Sequence, residues 1–332
     1  MTRLSLEQKL IDIESLISPI TIDDYALFRS FGNGYKNTLT YNAQAVNGWN
    51  PKGESTNRLG LKYYDKKNLI SIGYFKRYNS SEHFHIIPCE SSNEKIKYLA
   101  DLLYKISNSP VYIKKINKKQ KEELLTYQGF IKINKSNGWY KESSLEDDTY
   151  PEQVLDLKIT LAELSKIRKE SQIKDKYVRA IKRYIETNRL TIENYDITKH
   201  KYDALNILKE FFNIQREKHN HLSSAEDYFN IINTKPDNNV ISSIFFIDKE
   251  PAAFYLAERT GYNINVYANL SKHNKFMYLS EFILIHLFKE AEKQEIETIN
   301  LGGSETQGLN NFKMKFKPIE QRQMHWLLYE NI

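Results

Sequence analysis

The chain has 332 residues, of which 40% are hydrophobic and 13% aromatic, so it is long enough and apolar enough for two packed domains. Its one cysteine, Cys89, excludes an intrachain disulfide and a multi-cysteine zinc site, and we expect no bound metal. The net charge of +6 suits RNA, anionic lipid or phosphorylated ligands, and equally an evenly basic surface. No apolar run could cross a bilayer and the first residues resemble an amphipathic helix, so we expect a cytoplasmic protein without integral membrane association.

The first half of the chain predicts strands with helices laid against them. In chain order these are a helix over residues 1–16, a short helix over 21–31, three strands between 58 and 90, a helix over 93–106, a strand over 111–115 and a helix over 118–127. The segment 134–153 is polar and rich in turn-forming residues, which is typical of a domain boundary. We therefore expect one domain over residues 1–150 and a second over 151–332.

The second half predicts a similar order of elements. They are a strand over residues 154–157, a helix over 160–170, a basic helix over 175–188, a strand over 191–196, a helix over 202–219, three strands joined by tight turns between 240 and 270, a helix over 277–294, a strand over 297–303, a short helix, and a strand over 323–329. This order predicts the α+β class, with a mixed, mostly antiparallel sheet flanked by helices. The likeness of the two halves predicts two such domains in tandem.

The segment 297–328 carries the strongest functional signal. A buried strand ends at Gly302-Gly303, and a polar turn then leads into a short helix with Lys313 and Lys315. Backbone N–H groups at such a turn, together with lysines, are suited to holding a developing anion.

The same segment resembles the closing signature of a known family. The motif QGLNNFKMKFKP is similar to the signature of the aminoacyl-transferring branch of the GNAT superfamily, which includes the Fem-type peptidoglycan aminoacyltransferases and the soluble domain of lysylphosphatidylglycerol synthase. The residues that match in order are Gly308, Leu309, Phe312, Lys313, Lys315, Phe316, Pro318 and the aromatic-rich strand 326–329. Residues 176–196 resemble the basic helix and first long strand of the same branch. The resemblance covers most of residues 154–332 and implies two GNAT-like domains in tandem.

The resemblance also bears on the donor. GNAT enzymes usually bind the pyrophosphate of acetyl-CoA in a glycine-containing loop between a central strand and a helix. The equivalent segment here, residues 270–275, contains no glycine. The literal match to that loop, residues 29–34, follows a predicted helix, and we interpret it as a turn. The resemblance therefore implies an aminoacyl-tRNA donor and no cofactor.

Lys313, Lys315 and Glu305 are the candidate catalytic residues. Two lysines at i and i+2 diverge by about 200° on a helix, so at most one is expected to point into the site. Either lysine can stabilise the oxyanion or grip donor phosphate, or be a solvated residue beside a buried Phe312–Phe316 pair. Glu305 can act as a base, or simply favour the start of the helix.

Gly302, Gly303 and Ser304 are the candidate donor- and oxyanion-binding residues. The glycines permit close approach of a ligand to the backbone. The alternative is an ordinary turn in which Ser304 or Thr306 caps the following helix.

The acceptor pocket is expected on the strand that contains Asn265, Tyr267 and Asn269. Strict alternation places these three side chains on one face, with Glu258 on the neighbouring strand and Glu281 on the following helix. The alternative is cross-strand pairing on a wet face. Four basic residues of the upstream helix are expected to contact RNA phosphate, or to form a solvated face: Lys176, Arg179, Lys182 and Arg183.

These residues and the resemblance predict an acyltransferase that moves an aminoacyl group from charged tRNA to an amine acceptor, either a peptidoglycan precursor or a soluble metabolite or peptide. One alternative is an N-acyltransferase that uses acyl-CoA or acyl-carrier protein. Another is a catalytically silent RNA-binding or scaffold protein.

Overall fold

The computed structural model describes residues 3–31, 58–76, 82–133, 150–169, 184–185, 187, 189–218, 232–233, 238–304 and 307–330. The chain forms two compact units. Unit 1 contains Met1–Pro151 together with Gln323–Ile332, and unit 2 contains Glu152–Arg322. The expected second domain, 151–332, therefore differs from the observed unit at its C-terminal end.

The described residues form fourteen strands and eight helices. The strands are β1 Ile17–Pro19, β2 Arg58–Tyr64, β3 Leu69–Lys76, β4 Glu82–Glu90, β5 Val111–Ile116, β6 Phe130–Lys132, β7 Glu152–Asp156, β8 Leu190–Asn194, β9 Val240–Ile247, β10 Glu250–Thr260, β11 Asn263–Ser271, β12 Thr298–Asn300, β13 Glu320–Arg322 and β14 His325–Tyr329. The helices are α1 Arg3–Ile13, α2 Tyr25–Phe31, α3 Asn93–Ser107, α4 Lys118–Leu124, α5 Leu157–Lys169, α6 Ile197–Lys218, α7 Leu279–Glu292 and α8 Gln307–Met314. The expected α+β class, with two mixed sheets flanked by helices, is confirmed.

Unit 1 is built on a seven-stranded sheet in the order β1-β2-β3-β4-β5-β14-β6. β4 and β5 are parallel and the other pairs antiparallel. Helix α3 begins where Ser92 Oγ accepts a hydrogen bond from the backbone N–H of Lys95. Its buried residues have helical spacing and pack on the sheet: Ile96, Leu99, Ala100 and Leu103.

The last strand, β14, belongs to the sheet of unit 1, which corrects the prediction that residues 151–332 form one domain. β14 lies between β5 and β6 and pairs with both. Residues 326–329 are all buried, although alternate side chains of a strand point to opposite faces. Such a strand needs cover on both faces and partners on both edges, and its position between β5 and β6 supplies the partners.

Unit 2 is built on a second seven-stranded sheet in the order β13-β7-β12-β11-β10-β9-β8. β11 and β12 are parallel and the other pairs antiparallel. Helix α7 packs on one face of this sheet, where Tyr255, Ala257 and Ile299 belong to its core. Helix α6 lies on the opposite face, where Tyr195, just before it, contacts Phe254 at a ring distance of 4.9 Å.

Helix α6 begins five residues before the predicted start at residue 202. The Asp196 carboxylate accepts hydrogen bonds from the backbone N–H and the hydroxyl of Thr198, at 2.8 and 2.6 Å. This local cap satisfies an N–H group that the first helical turn leaves without a partner, so the helix extends back to Ile197.

Candidate functional site

The glycine turn after β12 has a backbone conformation that favours glycine. Gly302 has φ +73°, in the left-handed region that side chains with a Cβ rarely adopt. Its N–H donates to Oδ1 of Asn300 at 2.6 Å. A Cβ at this position would lie 3.9 Å from Nζ of Lys313, so space is available, and it is the backbone conformation that favours glycine.

Lys313 points its ammonium group at this turn. The residue is buried, and Nζ donates to the carbonyl oxygen of Gly302 at 3.2 Å and to that of Gly303. A solvated lysine, the alternative considered above, is therefore wrong for Lys313. The result is a buried positive charge held next to the end of β12.

Lys315 points elsewhere and meets Glu281. Its Nζ lies 3.0 Å from Oε1 of Glu281 on α7, and about half of its side chain is exposed. Phe312 and Phe316 pack edge to face at 5.7 Å beside it. The predicted divergence of the two lysines agrees with these contacts, and Lys313 is the one at the turn.

Ser304 follows the turn and is fully buried. Among the described residues, none is a hydrogen-bond partner of its hydroxyl group. The interpretation of Ser304 as a helix cap thus finds no support in these contacts. Its hydroxyl is a buried donor at the end of the glycine turn.

Several predicted site residues lie outside the described residues. They are Glu305 and Thr306, the glycine-containing match at 32–34, and the basic residues Lys176, Arg179, Lys182 and Arg183. Their proposed roles stay predictions.

The acceptor face predicted on β11 is interrupted by a β-bulge. The pairing of β11 with β10 shifts between Leu256 and Ala257, and Tyr267 is the extra residue on β11. Asn265 pairs with Glu258, whereas Asn269 pairs with Tyr255. Directly paired residues share a face and β10 alternates regularly here, so Asn265 and Asn269 lie on opposite faces. The prediction of one shared face is wrong, because one extra residue reverses the alternation.

Four buried polar side chains instead form a row on the face opposite α7. Glu258 pairs with Asn265, Asn265 pairs with Asn300, and Asn300 Nδ2 donates to Oε2 of Glu152 at 2.9 Å. All four are at most 4% exposed. We call Glu258, Asn265, Asn300 and Glu152 the polar row. The sequence did not predict Asn300 and Glu152 as site residues, because Glu152 lies in the predicted linker and Asn300 on a short strand.

The polar row is connected to the glycine turn by hydrogen bonds. Asn300 accepts from Gly302 N–H with the oxygen of the same amide that donates to Glu152. The backbone of Gln153 bonds Gly302 and Leu301, and its side chain donates to Asn310 on α8 at 3.0 Å. Strands β7 and β12 and helix α8 therefore hold the turn and Lys313 in one arrangement.

The segment equivalent to the pyrophosphate loop holds a buried lysine. Lys272 is 2% exposed, and its Nζ lies 2.8 Å from Asn206 Oδ1, 2.9 Å from Glu210 and 3.2 Å from Glu250. Hydrogen bonds from Lys275 and then Lys272 hold the pKa of Glu250 below its ordinary value, against the opposing effect of burial. This lysine ties α6 to the sheet.

On the α7 face, Tyr255 forms a separate buried polar cluster. Its hydroxyl accepts from Ser243 at 3.0 Å and lies 3.1 Å from Nδ1 of His286. Burial raises the pKa of Tyr255 and lowers that of His286, because both charged forms lose solvation. These groups satisfy one another, so we interpret them as structural.

Within the described ranges, no group of three or more His, Cys, Asp or Glu side chains could hold a metal ion. No helix in the same part of the chain is long and apolar enough to span a membrane.

Comparison with known proteins identifies the fold. No protein-family model matches the chain, and neither does a curated protein sequence. A conserved protein of unknown function from Bacteroides thetaiotaomicron VPI-5482 has a TM-score of 0.64 at 10% identity, covering 95% of this chain and 99% of the other. FemX has a TM-score of 0.58 at 14% identity, covering 95% and 97%. L-PGS from Bacillus licheniformis has a TM-score of 0.51 at 13% identity, covering 93% and 92%. As the resemblance implied, the chain has the tandem GNAT-like fold that FemX and L-PGS also have.

Proposed function

We propose that the chain transfers an aminoacyl group from aminoacyl-tRNA to an amine acceptor. The observation that carries this proposal is the buried ammonium of Lys313 at the glycine turn. The turn continues into Ser304, whose buried hydroxyl has no hydrogen-bond partner among the described residues. A preorganised positive charge and a hydroxyl donor in a buried setting are suited to stabilising the oxyanion of acyl transfer.

The proposed reaction needs no cofactor. The neutral amine of the acceptor attacks the ester carbonyl, and the new C–N bond forms as the carbonyl oxygen gains negative charge. Lys313 and Ser304 stabilise that oxygen. The C–O ester bond then breaks, and the proton lost by the attacking nitrogen passes to the departing ribose oxygen, directly or through water.

The fold supports a transferase of this kind. Both FemX and L-PGS share it across more than nine-tenths of the chain, and their identities of 14% and 13% leave the substrates open. We propose charged tRNA as the partner, the cytoplasm as the compartment, and a peptidoglycan precursor or a soluble metabolite or peptide as the acceptor.

An acyl-CoA or acyl-carrier-protein donor is the alternative. In the equivalent of the pyrophosphate loop, Lys272 has its ammonium occupied by Asn206, Glu210 and Glu250. This arrangement disfavours the usual binding of CoA, and a thermal shift by CoA but not by tRNA would favour the alternative.

The direct test uses purified protein, total tRNA charged with labelled amino acids, and a pool of amine-containing small molecules and peptidoglycan precursors. We expect label to move into a product in a reaction that RNase abolishes. Absence of RNase-sensitive transfer with every amino acid would refute the proposal. RNA binding without transfer, unchanged by Lys313→Ala, would instead support a silent RNA-binding or scaffold protein.

A further inference from the structure

We propose that the polar row binds a primary ammonium group on the acyl group that is transferred. The polar row consists of Glu258, Asn265, Asn300 and Glu152, as defined above. The inference rests on the proposed function for the position of the reacting carbonyl. The proposed function does not specify which residues bind the amino group of the donor, and the polar row supplies them.

The side chains of the polar row converge because of strand pairing. Glu258, Asn265 and Asn300 occupy paired positions on three neighbouring strands, and side chains at paired positions share a face. Glu152 joins them through its hydrogen bond with Asn300. Carboxylates therefore stand at both ends of a buried row, with two amides between them.

Asn265 indicates that this row lacks a donor. The residue is 4% exposed, and Oδ1 has no hydrogen-bond partner among the described residues. A buried acceptor without a partner is costly, so a ligand that donates to it gains affinity.

The other groups of the row do not readily supply that donor. The amide of Asn300 already donates to Glu152 with its nitrogen and accepts from Gly302 with its oxygen. The carboxylates of Glu258 and Glu152 accept when they are ionised. The row thus combines two carboxyl groups with an amide oxygen that has no partner among the described residues, whereas an ammonium group offers three donors and a positive charge.

The position of the row selects which ammonium group it binds. Asn300 connects the row to the glycine turn through Gly302, where the ester carbonyl would react. In an aminoacyl ester, the α-ammonium is carried by the carbon next to that carbonyl. The attacking amine must be neutral, and neighbouring carboxylates would keep it protonated. The row therefore fits the non-reacting ammonium of the donor. Acetyl and fatty acyl groups have no ammonium group that the row could bind.

Binding of stable donor analogues tests the inference. The probes are 3′-aminoacylamino-3′-deoxyadenosines for the twenty amino acids, each with a free α-amino group or N-acetylated, and Kd is measured by calorimetry. We expect the best free-amine probe to bind at least about tenfold more tightly than its N-acetylated form, because charge-assisted hydrogen bonds are the stronger ones.

Two variants locate the effect, and a third is the matched control. Asn265→Leu removes the unpaired acceptor at similar volume, and Glu258→Gln keeps the shape while removing the charge. Both should abolish the preference for the free amine without changing the Kd of the N-acetylated probe. Asn269→Leu lies on the same strand but on the opposite face, and should keep the preference. If Asn265→Leu fails to fold, the effect of Glu258→Gln on the preference for the free amine still tests the inference.

Equal affinity for both probe forms, or no binding of any probe, would overturn the inference. A preference for the free-amine probe that persists in both Asn265→Leu and Glu258→Gln would also overturn the inference. Transfer from N-acetylaminoacyl-tRNA as fast as from aminoacyl-tRNA would sink the inference while leaving the proposed function standing. Conversely, a row-dependent preference without RNase-sensitive transfer would refute the tRNA donor and retain the ammonium site.

Discussion

Replacing Lys313 with methionine removes the buried ammonium at the glycine turn but keeps much of the side chain's volume. In the proposed reaction, this change removes one preorganised group that stabilises the oxyanion. Loss of such a group lowers kcat by roughly 10²–10³, or about 2.7–4 kcal/mol of transition-state stabilisation.

The same change affects stability through two carbonyl groups. The oxygen of Gly302 keeps a hydrogen bond from the backbone N–H of Gln153 at 3.3 Å, whereas the contact of Gly303 with Lys313 is lost. Leaving one buried carbonyl unsatisfied costs about 1–3 kcal/mol. We therefore expect Lys313→Met to lower the free energy of unfolding by about that amount.

Lys315→Met is the matched control, two residues further along the chain. Its ion pair with Glu281 involves a lysine side chain that is half exposed, so its loss costs about 0–1 kcal/mol. Transfer kinetics and urea denaturation of both variants provide the measurement. A kcat of Lys313→Met within a factor of two of the unmodified chain, under conditions where the variant is folded, would refute the role assigned to Lys313.

Three further predictions concern stability. Lys272→Met should lower the free energy of unfolding by about 1.5–3 kcal/mol, because Asn206, Glu210 and Glu250 lose the charge-assisted hydrogen bonds that the buried ammonium donates. The exposed Lys275→Met should cost about 0–1 kcal/mol, and equal effects of the two changes in urea denaturation would contradict this. The pKa of His286 lies below the ordinary 6.5, so the unfolded chain binds this proton more tightly. Stability should therefore fall as the pH drops below about 6.5, and less steeply in His286→Asn; identical pH profiles would rule out the effect. Truncation after Arg322 removes β14, which pairs with strands on both sides, and should unfold unit 1 as measured by hydrogen exchange in residues 82–133. Retained protection there would show that β14 is dispensable.

Local patterns predicted the elements of unit 2 closely. The three strands expected between residues 240 and 270 are β9, β10 and β11, and the helix expected over 277–294 is α7. Apolar runs, tight turns and helical spacing are properties of neighbouring residues, so a sequence displays them directly. The tandem GNAT-like fold followed from the motif around Lys313, and the structural comparisons confirm it.

Two features depended on long-range pairing and could not be predicted. Residues 326–329 indicated a buried strand, but the choice of sheet depended on the edges of β5 and β6, which lie about 200 residues earlier in the chain. The bulge at Tyr267 depends on the partner strand, because counting alternate residues assumes that no extra residue interrupts the pairing.

The sequence by itself determined that the glycine turn and two diverging lysines lie together near the C-terminus. A helix through both lysines would make Lys313 and Lys315 diverge, and the two side chains do diverge, although α8 ends at Met314 and Lys315 lies in the turn that follows. Only the tertiary structure decided which lysine meets the turn, because that depends on how α8 packs beside β12 and α7. The structure places the Lys313 ammonium on the carbonyls of Gly302 and Gly303, and that of Lys315 on Glu281. It also assembled the polar row by placing β7 beside β12, two strands that begin more than 140 residues apart, which local spacing cannot reveal.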